Sequence, residues 1–228
     1  MHELTPNLRD IGNLPAGGGR TVASGKVLRS AVPAAKDAGP DGFAWPPSVV
    51  IDLRSPGESE SIHPLAQNGV RVVNLPLLAA LRPGAAPVET LQALYLLMLD
   101  QASMYLVELV REVGRAEGTT LIHCAAGKDR TGVSVALLLR LVGVPREHVL
   151  DDYLLTAEAE QDIVARLRRG AGHRHRSTLP AAFFDVSAEA IEGVLDVWDD
   201  HAAGTEGWFL EMGGSLDDVE RLRRTLVP

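Results

Sequence analysis

Three short apolar runs stand out along the chain. SVVIDLR (48–54) is rich in β-branched residues and ends in polar ones, GVRVVNLPL (69–77) is a second such β-branched run, and TTLIHC (119–124) is a third apolar run. Continuous apolar runs of this length read as strands of a buried parallel sheet whose C-terminal ends reach loops. A shorter strand is expected at KVLRS (26–30), within a first stretch of 45 residues that is otherwise rich in Gly and Pro and irregular. Between residues 88 and 113, Leu91, Leu94, Tyr95, Met98, Ala102, Tyr105, Leu106, Leu109 and Val113 recur at three-to-four spacing, which predicts one amphipathic helix. TGVSVALLLRLVG (131–143) predicts a strongly apolar helix, ended by Gly143. Pro145 then opens a long helix that runs to about Arg169. After a loop at 170–180, helices are predicted over about 187–203, 205–212 and 215–226, the last opening on a capping box of Ser215 and Asp218. Strands alternating with helices predict an α/β fold: a single domain over residues 1–228, with a mainly parallel central sheet flanked by helices on both faces. In such sheets ligands bind beyond the C-terminal strand ends, where IDLR and LIHC finish.

Composition narrows the function classes. The 228 residues are 46% hydrophobic and 23% charged, so a sizeable core is available and global disorder is excluded. A net charge of −8 argues against a nucleic-acid partner, which needs a broad basic face. The single cysteine, Cys124, allows neither an internal disulfide nor a multi-thiolate metal site, and points to a reducing compartment. The N-terminus lacks the basic start and apolar core of a signal peptide, so a cytoplasmic protein is expected, with export by a signal-less route left open. LQALYLLML is stopped by Asp100 and reads as a core helix, so no integral membrane association is expected. Lysine is scarce, limited to Lys26, Lys36 and Lys128, which makes the lysine four residues after the cysteine notable.

HCAAGKDRTG (123–132) carries the chemistry as strand, loop and helix. Five residues separate Cys124 from Arg130. A loop of that length curling onto a helix start turns successive backbone amides inward and makes an anion cradle from Ala125, Ala126, Gly127 and Lys128. Gly127 permits a tight turn, and Gly132 permits close packing of the helix. Arg130 can grip two phosphate oxygens with its planar fork. Cys124 then lies at the bottom of the cradle. The amides, the helix end and Arg130 should lower its pKa below the free value of about 8.5, giving a thiolate aimed at phosphorus. Asp129 is the acid nearest the cradle and would protonate the leaving oxygen. Thr131 could donate to the sulfur, His123 could anchor the loop from behind, and Lys128 could add charge at the pocket rim for a second phosphate.

At these residues the chain resembles the cysteine-dependent protein tyrosine phosphatases, whose signature loop reads HCxxGKDRTG in the bacterial branch with Lys-Asp before the arginine. Other pieces match in order: NLRDIG (7–12), KVLRSAVP (26–33), IDLRSPGE (51–58), LDDYLLT (150–156) and TEGWFLEMGGSLDDVERLR (205–223). The resemblance spans nearly the whole chain. It implies a tyrosine phosphatase-like fold and a phosphatase acting through phosphocysteine, with no metal or cofactor. A phosphorylated protein is the expected substrate, phosphotyrosine first, with a phosphoinositide as the alternative and inorganic phosphate as product or inhibitor. Many tyrosine phosphatases carry the general acid on a separate loop. The matching stretch here, NLPLLAALRPG (74–84), has no acidic residue, which strengthens Asp129 as the acid. No phosphotyrosine-clamp motif is visible.

Several residues have plainer readings. Asp52 and Arg54 could line the pocket, but a strand-end ion pair is favoured, and Glu58 is read the same way. Asp151 and Asp152 are read as serving a helix dipole. The basic run RLRRGAGHRHR (166–176) is read first as a solvated helix end, second as a rim that attracts anions. His173 and His175 alone make a weak metal site. A sulfurtransferase or arsenate reductase uses a similar anion loop, and a non-catalytic phosphate-binding module would keep the fold. The Asp-Arg-Thr-Gly tail and the intact Cys124, Asp129 and Arg130 count against these.

Overall fold

A computed structural model describes residues 4–58, 62–66, 69–80, 88–169 and 185–228. The chain opens with β1 (Arg9–Asp10), then a small hairpin of β2 (Pro15–Ala16) and β3 (Arg20–Thr21). Next come β4 (Val27–Ser30), β5 (Val49–Asp52) and β6 (Arg71–Asn74). The helical half starts with α1 (Leu91–Gln101) and α2 (Ser103–Arg115), continues through β7 (Thr120–His123) and α3 (Asp129–Leu141), and then α4 (Arg146–Leu154) and α5 (Glu160–Arg169). It closes with α6 (Ala188–Asp199), α7 (Gly204–Glu211) and α8 (Leu216–Leu226). The two-residue strands β1 to β3 lie in the stretch expected to be irregular apart from KVLRS, since elements so short leave no periodicity to read.

Five strands form one sheet in the order β1-β4-β7-β5-β6. β4, β7, β5 and β6 are parallel, and β1 adds antiparallel at one edge. The register aligns Ser30, His123, Asp52 and Asn74 at one level, so four strand ends open onto the same space. β7 is central and its four residues are all buried, as are those of β4 and β5. The expectation of a second buried strand at 69–77 needs correction. β6 is an edge strand, with Arg71 and Asn74 exposed, because among the described residues nothing pairs beyond it.

Side chains alternate across the sheet. Val27, Val49, Ile51 and Ile122 join the main core with the helices. Leu28, Val50 and Leu121 point to the other face, where they meet Leu65, Leu8, Phe43, Trp45, Val70 and Val72. Those partners come from loops and strands, so among the described residues no helix joins this second cluster. The helical core thus lies against one face of the sheet among the described residues. A Gly- and Pro-rich segment covers the other without helical periodicity. α3 runs through the centre of the main core with only Asp129 and Arg140 left unburied.

Two helices expected to be continuous are broken. The 88–113 pattern is split at Ala102 into α1 and α2, bent by 75°. Each half then packs on its own partner, α1 on α6 and α2 on α8. No Gly or Pro marks the bend, so tertiary packing decides it. No single described helix is long and apolar enough to cross a membrane. The 145–169 helix is interrupted by a tighter helical stretch at Leu155–Ala159, where the buried Thr156 accepts a bond from Arg9. The capping box at Ser215 is formed in both directions. Leu222 of α8 is fully buried on the scaffold side. Leu222→Ala should cost about 2–5 kcal/mol in urea unfolding while turnover per folded molecule stays unchanged; loss of specific activity in the folded variant would contradict the assignment of α8 to the scaffold.

Candidate active site

The loop after β7 is turned inside out by bonds to its back. His123 Nδ1 bonds the Cys124 carbonyl at 3.0 Å, and the Val32 amide bonds that of Ala125 at 3.1 Å. Asn7 Nδ2 reaches the carbonyls of Ala126 at 3.3 Å and Gly127 at 2.9 Å, and Arg29 Nη2 adds a second bond to Gly127 at 3.0 Å. In a trans peptide the C=O and the following N–H point in opposite directions. Four carbonyls held outward therefore turn the amides of Ala125, Ala126, Gly127 and Lys128 to the concave side. That is an anion nest, and it leads directly into the N-terminus of α3. Gly127 has φ +68°, and a Cβ there would lie 2.3 Å from the Ser30 carbonyl carbon. Only glycine lets β4 support the loop so closely. Cys124 is 1% exposed at the base of this turn.

The donors behind the loop are themselves fixed by ion pairs. Asp152 of α4 binds Arg9 at 2.9 Å and Arg29 through its other oxygen. Arg29 is completely buried and Asp152 is 6% exposed. Burial alone would raise the Asp152 carboxyl, but the two guanidiniums hold it below the usual range. The helix-dipole reading of Asp152 is therefore corrected: it is a buried counterion for the arginine that grips Gly127. Such a pair is a weak source of net stability, but losing one partner leaves an unpaired buried charge.

His123 is held by a second relay. The Leu65 amide donates to His63 Nδ1 at 3.1 Å, so His63 carries its proton on Nε2. That proton is shared with His123 Nε2 at 2.9 Å, which leaves His123 with its proton on Nδ1, facing the Cys124 carbonyl. Burial pushes His123 down to about 4 and also lowers His63, so both rings are neutral. Asp52, His63 and His123 bring one ligand atom each within 4.8 Å of one another, a donor set of the kind that holds divalent metals. The Leu65 amide opposes that use. A metal on His63 Nε2 would require a proton on Nδ1, pointing at another N–H.

Arg130 opens α3 and forms a two-pronged pair with Glu58, at 2.7 and 2.8 Å, with a further bond to the Leu53 carbonyl at 3.3 Å. Burial would lower this guanidinium, but the Cys124 sulfur, Glu58 and Asp129 outweigh it and raise the group, so it is permanently cationic. Glu58 thus positions the arginine rather than serving only as a strand-end partner. Asp52 and Arg54 form a bidentate pair with each other, at 2.9 and 2.8 Å. Asn74 donates to the Asp52 and Arg54 carbonyls, which fastens this segment to the edge strand.

Asp129 Oδ1 accepts from Tyr95 at 2.7 Å and from Lys128 Nζ at 2.6 Å, and its side chain is 24% exposed. Lys128 is buried, and its ammonium also bonds the Asp185 carbonyl at 3.0 Å, so it is not extended at the rim as expected. Gly132 lets the Tyr153 ring approach to where a Cβ would meet it at 2.8 Å. Thr131 Oγ1 is buried without a hydrogen-bond partner among the described residues, so the expected bond to sulfur is not formed here. Of the basic run, Arg166 is tied to Asp37 by two bonds, while residues 170–176, with His173 and His175, lie outside the described residues. So do residues 81–84 of the acid-free stretch. Reading the residues one by one missed Asn7, Arg29, His63 and Tyr95. All but His63 and Tyr95 lie in segments already singled out by resemblance.

Two outcomes follow from this geometry. Glu58→Gln should fold and lose up to about 10²-fold in kcat, because the arginine loses one prong of its clamp; unchanged kcat would show that Arg130 is positioned without it. The neutral histidines make stability fall with acid. The unfolded chain takes up protons near pH 6.5 and the folded one only near about 4. The contribution of His123 is full above about 6.5 and lost as pH drops toward about 4, on the order of 3 kcal/mol, and His63 adds in the same direction. Urea midpoints measured across that window should decline in wild type and flatten in His123→Asn, and a flat wild-type profile would refute the relay.

Comparison with known proteins agrees with this geometry. A family model described as the tyrosine phosphatase family matches residues 2–228. A Cupriavidus necator protein provisionally named a tyrosine-protein phosphatase is 31% identical over 219 residues, covering 82% of this chain and 76% of its own length. A tyrosine-protein phosphatase of Nostoc commune is 30% identical over 119 residues, 50% of this chain and 40% of that protein. The triple specificity protein phosphatase PtpB of Mycobacterium tuberculosis is 33% identical over 117 residues, 51% of this chain and 41% of that protein. With a cysteine beneath an outward-bonded loop, a clamped arginine and a family match over essentially its whole length, this chain belongs to the tyrosine phosphatase family.

Proposed function

We propose that the protein hydrolyses phosphate monoesters in two steps through a phosphocysteine, with protein phosphotyrosine as the preferred substrate. The observation that carries this reading is the loop itself: Cys124 lies at the base of four inward amides, beside an arginine clamped by Glu58. The phosphoryl group sits in the nest, its oxygens met by the amides of Ala125 to Lys128 and by the Arg130 fork. Cys124 sulfur forms a bond to phosphorus as the ester P–O bond breaks, and Asp129 gives its proton to the leaving oxygen. In the second step the Asp129 carboxylate takes a proton from water, whose oxygen displaces the sulfur and releases inorganic phosphate. Charge shifting onto the equatorial oxygens is stabilised by fixed dipoles and one fixed cation, so the scheme needs no metal. A nucleophile that works as a free thiolate is preserved in a reducing compartment, in keeping with a cytoplasmic site of action.

Phosphotyrosine is favoured over a phosphoinositide by the position of Lys128. Its ammonium is occupied by Asp129 and Asp185 and is not free at the rim for a second phosphate. Wild type, Cys124→Ser and Asp129→Asn should be assayed with EDTA against p-nitrophenyl phosphate, a phosphotyrosine peptide, a phosphoserine peptide and a soluble phosphoinositide. Wild type should turn over the first two fastest, Cys124→Ser should give no turnover while remaining folded, and Asp129→Asn should lose about 10²–10⁴-fold on the peptide. Acid-quenched wild type should carry phosphate on Cys124 by mass spectrometry. Full activity in Cys124→Ser would overturn the mechanism. Preference for the inositide would overturn the substrate assignment alone.

A further inference from the structure

A buried pair of hydroxyl groups leads from α4 to the oxygen of Asp129. The Tyr153 and Tyr95 hydroxyls are 2.8 Å apart. Tyr95 donates onward to Asp129 Oδ1 at 2.7 Å. The direction of each bond follows from its end. Asp129 offers only an acceptor as a carboxylate, so Tyr95 spends its proton there, and Tyr153 must donate to the Tyr95 oxygen. Both rings are 1% exposed or less and cross edge to face at 83°. Burial pushes Tyr153 up to about 12 and Tyr95 well above its ordinary value, so both remain proton donors. Lys128 bonds the same Oδ1 at 2.6 Å and also the Asp185 carbonyl.

We infer that Tyr95 is a positioning residue for proton transfer: together with Lys128 it saturates Asp129 Oδ1, so that Oδ2 is the oxygen that carries and delivers the proton. In a carboxylic acid the carbonyl oxygen is the better acceptor, since a hydroxyl oxygen has one of its directions taken by its own hydrogen. Two donors converging on Oδ1 make that atom the carbonyl and place the hydroxyl on Oδ2. They also fix the rotation of the carboxyl group, which a 24% exposed aspartate at a helix start would otherwise sample. Tyr95 touches no reacting atom. It acts by choosing which atom of Asp129 reacts, and it is held by Tyr153, whose close approach depends on Gly132.

This inference rests on Asp129 being the general acid, and the test separates the two. Tyr95→Phe, Tyr153→Phe, Asp129→Asn and the double variant Tyr95→Phe/Asp129→Asn would be assayed on aryl phosphates from dinitrophenyl to phenyl. Good leaving groups depart without a proton and poor ones do not. Tyr95→Phe should lose about tenfold in kcat on phenyl phosphate and little on dinitrophenyl phosphate, a small share of what a general acid supplies. Asp129→Asn should show the same pattern more steeply, and the double variant should be no worse than Asp129→Asn. Tyr153→Phe keeps the ring against Gly132 and should show a weaker form of the Tyr95→Phe slope, which carries the test if Tyr95→Phe does not fold. A steep Asp129→Asn slope with the tyrosine variants parallel to wild type would overturn this inference alone. An Asp129→Asn slope parallel to wild type would remove the acid assignment and this inference with it.

Discussion

Four consecutive peptide units, from the Cys124 carbonyl to that of Gly127, are bonded away from the centre of their own loop, and the site depends on that arrangement. A loop left to itself exposes carbonyls and amides alike to water. To present amides alone on one side, it must satisfy every carbonyl on the other. Three of the donors, Asn7, Arg29 and Val32, lie far before the loop in sequence, and the fourth, His123, directly precedes the cysteine. Two of them carry further requirements inward. Arg29 is a buried cation that needs Asp152, and His123 is a buried neutral imidazole that needs His63 to choose its tautomer. The sheet order places β4 and β5 on either side of β7, so both sets of supports flank the loop that leaves its end.

The front of the site is built differently from the back. Behind the loop, bonds fix backbone groups; in front, they fix the side chains of Arg130 and Asp129. Glu58 orients Arg130 from the segment after β5, and Tyr95 and Lys128 orient Asp129 from α1 and from the loop itself. In the proposed mechanism both side chains would enter the reaction already rotated into place, which lowers the cost of reaching the transition state. The bend between α1 and α2 matters here, because α1 must lie along α6 for Tyr95 to reach Tyr153 and Asp129.

Much of this was legible in the sequence, and the reason is local. Cys124, Gly127 and Arg130 occupy one loop with a fixed spacing, and a strand before it and a helix after it follow from hydrophobic pattern alone. The flanking segments were also visible, but their purpose was not. NLRDIG holds Asn7 and Arg9, KVLRS holds Arg29, IDLRSPGE holds Asp52, Arg54 and Glu58, and LDDYLLT holds Asp152 and Tyr153. In this fold these segments are the back and sides of the loop. Asp152 looked like a helix-end acid because its partners lie 143 and 123 residues away.

The sequence by itself singled out the loop cysteine, the anion loop, the parallel strands and the capped helix ends, since each depends on residues within one turn or one strand of each other. Tertiary structure alone decided what the long-range contacts decide. It broke the 88–113 pattern into two helices, left β6 at an edge, and filled the second apolar cluster, among the described residues, from loops and strands. It paired His63 with His123, drew Lys128 inward and aimed Tyr95 at Asp129. A side chain's type limits the bonds it can form, but only the packing of distant segments selects the partner.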